Sequence, residues 1–389
     1  MNPRILPVFA VLAAVAAAAW FFFSSGPSRS AWNPIAESQP SDKAAAAHAG
    51  GADEKGPAPT APGNSRDSAG KKPAMNWKRF SQMMSGTADN SSSVPMPTSE
   101  GIARSLAKHG ETAVNLVAAF ETTRDRRLLE RALELFPNSP VVLMAAIEPA
   151  PGSKSLKPGE TYLLDAGRMA LIERFKIADS NNPLPWIYSA QEFFKAGQTA
   201  DAIADIRAAL DRPAFYTYSN ERMDSRQQFY EDVGFHPVEA SLLAMAGLTL
   251  PHLPAAHQAL VSLMEWHQSA TDSGDTAAAN DALRLTYGLS RTFTTPEASR
   301  TLIGQVIGIA MEARVLRALP TDAQPDWLTV NPAQRLAEMD RQKQNAKEIA
   351  AGLEWMIENQ KEETLSEYVR RMRSEGESAA FAWLKAQKK

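Results

Sequence analysis

Six histidines are the residues in this chain best suited to acid–base or metal chemistry: His48, His109, His236, His252, His257 and His267. Their spacing argues against a built site. His252 and His257 are five apart across Pro254. That is off the i, i+4 spacing that puts two metal ligands on one helical face. His267 stands beside Glu265 and Trp266 and reads as a structural or solvated histidine on an amphipathic helix. The adjacent carboxylates Glu231 and Asp232 point apart on a helix and read as solvated. The chain has no cysteine, so a thiol nucleophile, a thiolate ligand and a lipid-modified N-terminal cysteine are all excluded. Neither G-x-S-x-G nor H-E-x-x-H occurs. Gly152-Ser153-Lys154 lacks the preceding strand and the spacing of a phosphate-cradling loop. The aromatic group Phe215, Tyr216, Tyr218, Phe229, Tyr230 and Phe235 is the one place where residue types favour a ligand pocket, although core packing explains it as well. These readings predict no catalytic, cofactor-binding or metal-binding residues, and no cofactor.

The elements that would position such residues are helical. Apolar residues recur at 3.6-residue spacing from Ser99 onward, and no run alternates as a strand does, so the expected class is all-α. Capping signals at Thr98-Ser99-Glu100 and Thr123-Arg124-Asp125 open helices, as does Pro158-Gly159-Glu160 before the apolar residues from Leu163 to Ile177. Further helices are expected near 184–196, 199–211, 218–233, 237–248, 254–271, 275–292, 296–318, 332–373 and 377–387, with Pro and Gly at the joints. The last long stretch carries an apolar stripe through Leu353, Leu365, Tyr368, Val369 and Met372. It is interrupted around Asn359 and has too few clean heptads for a coiled coil. It therefore reads as a capping helix, with homo-oligomerisation through this helix as the alternative.

Residues 183–213 have a pattern of their own. Trp186, Ala190, Phe193, Gly197, Ala202, Ile206, Ala209 and Pro213 place aromatic, small, turn, small and apolar residues as a two-helix hairpin requires. This segment resembles a tetratricopeptide repeat, and Leu128–Pro140 resembles the closing half of another. Ser189 departs from the usual leucine, and the intervals between the closing prolines are not constant. The resemblance implies an irregular α-solenoid of helical hairpins over 99–330, followed by C-terminal helices over 331–389. It also implies a groove for a protein partner or extended peptide lined by the first helix of the hairpin. The matching positions are Leu184, Ile187, Gln191, Phe194 and Lys195. Ile187 and Phe194 could equally be core.

The N-terminus sets the location. After residues 1–4, Ile5 to Phe23 is an uncharged apolar run of 19 residues, covering about 28 Å as a helix, close to the ~30 Å hydrocarbon core. Aromatics at Trp20–Phe23, where a peptidase would need small residues, favour a retained anchor over a cleaved signal peptide. Residues 24–98 are rich in Pro, Ala, Ser and Gly and read as a disordered linker. A random chain of that length spans roughly 50 Å. Within it, Trp77, Phe80, Met83 and Met84 fall at helical spacing over 76–84, which suits a short amphipathic motif. Arg4 against a sparsely charged far flank puts the N-terminus inside and the bulk of the chain outside.

The net charge of −3 is uneven: residues 99–330 carry 21 Lys/Arg against 28 Asp/Glu. An acidic body without a basic stripe argues against nucleic-acid binding. The expected protein is a single-pass, periplasm-facing adaptor or scaffold of the inner membrane, without enzymatic activity. The alternatives are an all-helical enzyme built around Tyr216, Tyr218 and His236, and a self-assembling envelope protein.

Overall fold

The computed structural model describes residues 97–147, 164–212, 215–246, 250, 252–295, 302–319, 325–342, 344, 348 and 361–387. The apolar run 5–23, the linker up to residue 96 and the motif Trp77, Phe80, Met83 and Met84 lie outside these residues. Among the described residues every regular element is a helix, and none is long and apolar enough to cross a membrane.

The first four helices are α1 (Ser99–His109), α2 (Ala113–Thr123), α3 (Arg126–Leu135) and α4 (Pro140–Ile147). Their starts follow capping chemistry. Thr98 accepts from the Gly101 amide at 3.1 Å, Thr112 from the Asn115 amide at 3.2 Å, and Asp125 from the Arg127 amide at 3.1 Å. Helix α4 is apolar all round (PVVLMAAI) and accordingly buried on nearly every side. Next come α5 (Ala166–Ala178), α6 (Leu184–Lys195) and α7 (Thr199–Leu210). Helices α6 and α7 form a hairpin whose turn residue, Gly197, has φ +73°, a conformation that strains any residue with a Cβ. Ala190, Ala202, Ile206 and Ala209 are buried between and beneath these two helices.

Then follow α8 (Ser219–Asp232), α9 (Pro237–Ala246), α10 (His252–Asp272), α11 (Thr276–Thr292) and α12 (Leu302–Ala318). Helices α10 and α11 form a second hairpin. It packs on the first, α10 along α6 and α11 along α7. The intervening pair α8–α9 leaves this stack, and α8 packs against α2. Spatial order therefore departs from chain order after α7.

Two cores result. The larger joins α4–α7, α10, α11 and part of α12; the smaller joins α1–α4 through Leu116, Val117, Leu129 and Val142, closed by Phe229 of α8. The helix expected at 332–373 is broken. Residues 332–342 are helical, but Lys361 has the non-helical angles φ −83° and ψ 76°, and a new helix, α13 (Glu362–Glu375), starts there. Helix α14 (Glu377–Gln387) folds back on α13. The stripe residues Leu365, Tyr368, Val369 and Met372 are buried within this chain.

Candidate functional site

The site begins with α8, which is polar in sequence (SNERMDSRQQFYED) yet buries Arg222, Ser225 and Arg226. A guanidinium leaves water only when a carboxylate meets it. Glu121, the one acidic residue in the mostly apolar α2, does so: Arg222 Nη1 donates to its Oε1, and neither side chain retains meaningful exposure. One turn on, Ser225 Oγ donates to Asn115 Oδ1 at 2.7 Å, and the Asn115 amide donates to the Gly110 carbonyl at 2.8 Å. Buried polar groups thus fix the register of α8 on α2.

The Arg222 charge is also felt by His252. That imidazole is fully buried, edge-on to Phe215 with centroids 5.8 Å apart and stacked on Phe293 at 6.3 Å. Burial, reinforced by the Arg222 charge, pushes its pKa down to about 3. Burial and the charge of Arg314 likewise push His257 down to about 4. Both rings are neutral across the physiological range.

A second cluster clasps the start of α8. Tyr218 has φ 54°, uncommon for a bulky side chain. Its hydroxyl donates to Asp179 Oδ2, and burial, reinforced by this bond, raises the phenol well above its ordinary value. The buried Asn182 amide bridges Asp179 Oδ2 at 2.8 Å and the Tyr216 carbonyl at 2.7 Å. The Asn182 Oδ1 accepts from the Leu184 amide at 3.1 Å. Tyr216 stacks edge-on against Tyr218 at 4.8 Å, and its hydroxyl donates to Glu221. The clasp ties the end of α5 to the starts of α6 and α8, and Tyr218 touches both cores.

The aromatic group read from the sequence is therefore divided. Phe215 joins the larger core, Phe229 the smaller, and Tyr230 pairs with Phe235 at 5.6 Å. Tyr216 and Tyr218 stand before α8 and His236 after it, separated by a helix of 14 residues, about 21 Å long. The trio does not converge on a reacting atom. His236 instead holds helix ends: its Nδ1 accepts from the Val238 amide at 3.3 Å, and its Nε2 lies 3.3 Å from Glu362 at the start of α13.

No protein family, curated protein or solved structure matches this chain.

The groove expected along α6 divides in the same way. Leu184 and Ile187 are wholly inside the larger core and present no surface. Gln191 and Phe194 are half-buried, and Lys195 is exposed, 2.9 Å from the buried carboxylate of Glu192, which Arg168 also meets at 3.2 Å. Asp232, expected to be solvated, lies at the exposed end of α8, but its carboxylate is tied down by three partners. Lys108 donates to it at 2.6 Å, His109 Nε2 lies at 2.9 Å, and Ser105 donates as well. Burial would raise this carboxyl, but those three bonds outweigh it and hold it below the usual carboxylate range.

Among the described residues no three His, Asp or Glu side chains converge as metal ligands. An open cleft of about 660 Å³ lies between Thr329 and Arg341, with Arg335 committed to Glu312 at 2.8 Å and Glu338 at 2.7 Å. The polar spine of α8 was missed from the sequence. Two signals could have disclosed it: the single carboxylate in the mostly apolar α2, and the stripe Arg222, Ser225, Arg226 and Phe229 at helical spacing.

Proposed function

We propose that this chain is a membrane-tethered helical scaffold that binds a protein partner at the outer face of the inner membrane. The body is an irregular, tetratricopeptide-like α-solenoid. The observation that supports this reading best is the stacking of hairpin α10–α11 on hairpin α6–α7, helix along helix. Such stacks bury one face of each hairpin on its neighbour and present the other as an extended binding surface. The folded-back α13–α14 pair, which buries its own apolar stripe, suits a cap better than a dimerisation helix. Arg222 is paired with Glu121 and the His252 ring is neutral, so the polar spine serves as internal architecture. The apolar run Ile5–Phe23 and the linker to residue 98 would hold this body near the bilayer and let it search around its anchor.

The test uses full-length protein recovered in mild detergent after reversible crosslinking in cells. The scaffold reading predicts a defined protein partner in near-stoichiometric amount. Recovery of the chain alone, together with turnover of a small substrate, would sink it.

A further inference from the structure

Helix α10 covers α6, and its packing there buries Leu184 and Ile187. The cover is seated by a histidine. His252, the first residue of α10, is buried between the rings of Phe215 and Phe293, and its Nδ1 meets no hydrogen-bond partner among the described residues. Such a ring suits its seat only while uncharged, because an imidazolium would bring two N–H donors among aromatic carbons. The helix N-terminus, with its own partial positive charge, opposes protonation further. His257, half-buried on the same helix, feels the charge of Arg314 on α12 as His252 feels that of Arg222 on α8.

The acids on the helices packed against α10 are already committed. Glu192 of α6 meets Arg168 and Lys195, Asp281 of α11 meets Arg207 and Arg284, and Glu312 of α12 meets Arg335. The cations on those helices, Lys195, Arg284, Arg291, Arg314 and Arg317, add only repulsion toward an imidazolium. Tyr188 and Tyr287 are uncharged in acid. On α10 itself Glu265 acts on Arg314, Asp272 accepts from Gln268, and His267 Nδ1 lies 3.0 Å from the Ala279 carbonyl.

We infer that α10 is an acid-labile cover on α6: protonation of His252 and His257 lifts it and exposes Leu184 and Ile187. The direction follows from the titration. Burial and the neighbouring arginines hold the folded rings at about 3 and about 4, below the ordinary 6.5, so the open form takes up protons first and opening is favoured as pH falls. Carboxylates ordinarily titrate below pH 5, so mild acid charges histidines without dismantling ion pairs elsewhere. The smaller core is spared for a further reason. The one histidine of α1–α4, His109, is partly exposed and sits 2.9 Å from Asp232, a partner that welcomes its charge. The opening is therefore local to the larger core, which distinguishes it from loss of the whole fold. The inference stands apart from the scaffold reading and needs no partner.

The experiment follows amide hydrogen exchange of the full chain in neutral detergent at pH 7 and pH 5, with each rate corrected for its intrinsic pH dependence. Opening of α10 is expected to rise roughly twentyfold for each ring it exposes, while the amides of α2 keep their protection. In His252→Phe the rise is expected to shrink to the share of His257. The chain has no cysteine, so Ile187→Cys places a single thiol beneath α10 and Ser269→Cys places one on its exposed side. With a dithiodipyridine reagent, the ratio of the first rate to the second is expected to rise about tenfold or more from pH 7 to pH 5. Should Ile187→Cys already be open at pH 7, exchange on the unaltered chain decides. Unchanged protection of α10, an equal loss in α2, or a rise in His252→Phe as large as in the unaltered chain would overturn the inference.

Discussion

Glu121 and Arg222 each hold the other's charge where water does not reach. Replacing Glu121 alone with Leu leaves a guanidinium buried beside an apolar helix, and we expect a loss of about 3–5 kcal/mol in chemical denaturation. The double variant Glu121→Leu/Arg222→Met should recover most of that loss, because the cost lies in the orphaned charge rather than in the absence of the pair. A double variant as unstable as the single one would contradict this. His252 and His257 make a prediction about pH. Their folded values, about 3 and about 4, lie below the ordinary imidazole value of 6.5, so the unfolded chain takes up protons first. Stability is therefore full above pH ~6.5 and falls as pH drops through 6 and 5, by up to about 1.4 kcal/mol per pH unit for each ring. His252→Phe, which fits the aromatic box of Phe215 and Phe293, should flatten part of that slope when melting is followed from pH 7 to 5. An unchanged slope would contradict the buried neutral ring. Neither residue role was legible beforehand. A sequence shows that Arg222 is charged but not which carboxylate, 101 positions away, will meet it.

At the scale of elements the sequence was most informative where local chemistry decides. Thr98 and Asp125 cap the helices they were expected to open, and Gly197 takes the left-handed turn its position implied. Gly197→Ala should cost roughly 1–2 kcal/mol through the positive φ alone. Gly308 tests a different constraint. A Cβ there would meet the Phe293 backbone carbon at 3.2 Å and Thr294 Cγ2 at 2.8 Å, so α12 can approach the end of α11 only without a side chain. We expect Gly308→Ala to lower the melting temperature by several degrees through separation of these helices. A neutral effect would mean that the contact yields freely. The sequence marked the break at Lys361 only as an interruption of the apolar stripe around Asn359, within one expected helix, and did not show that a new helix starts after Lys361. Periodicity does not see a change of direction at a polar joint.

At the scale of the molecule, class was readable and path was not. Helical spacing gave an all-α body, but nothing between Pro213 and Pro251 announces that α8–α9 will leave the stack to pack on α2. That departure depends on the buried pairs Arg222–Glu121 and Ser225–Asn115, which are contacts between distant parts of the chain. The same rearrangement explains why the candidate groove was only partly placed. Stacking α10 directly on α6 buries Leu184 and Ile187. The account's central claim joins location and binding, and one measurement reads both: a membrane-impermeant amine crosslinker added to intact spheroplasts, with the chain followed by immunoblot. We predict a discrete adduct heavier than the 42.3 kDa chain, containing a second protein and formed without lysis. A chain that migrates alone, or that forms the adduct only after the membrane is broken, would contradict it.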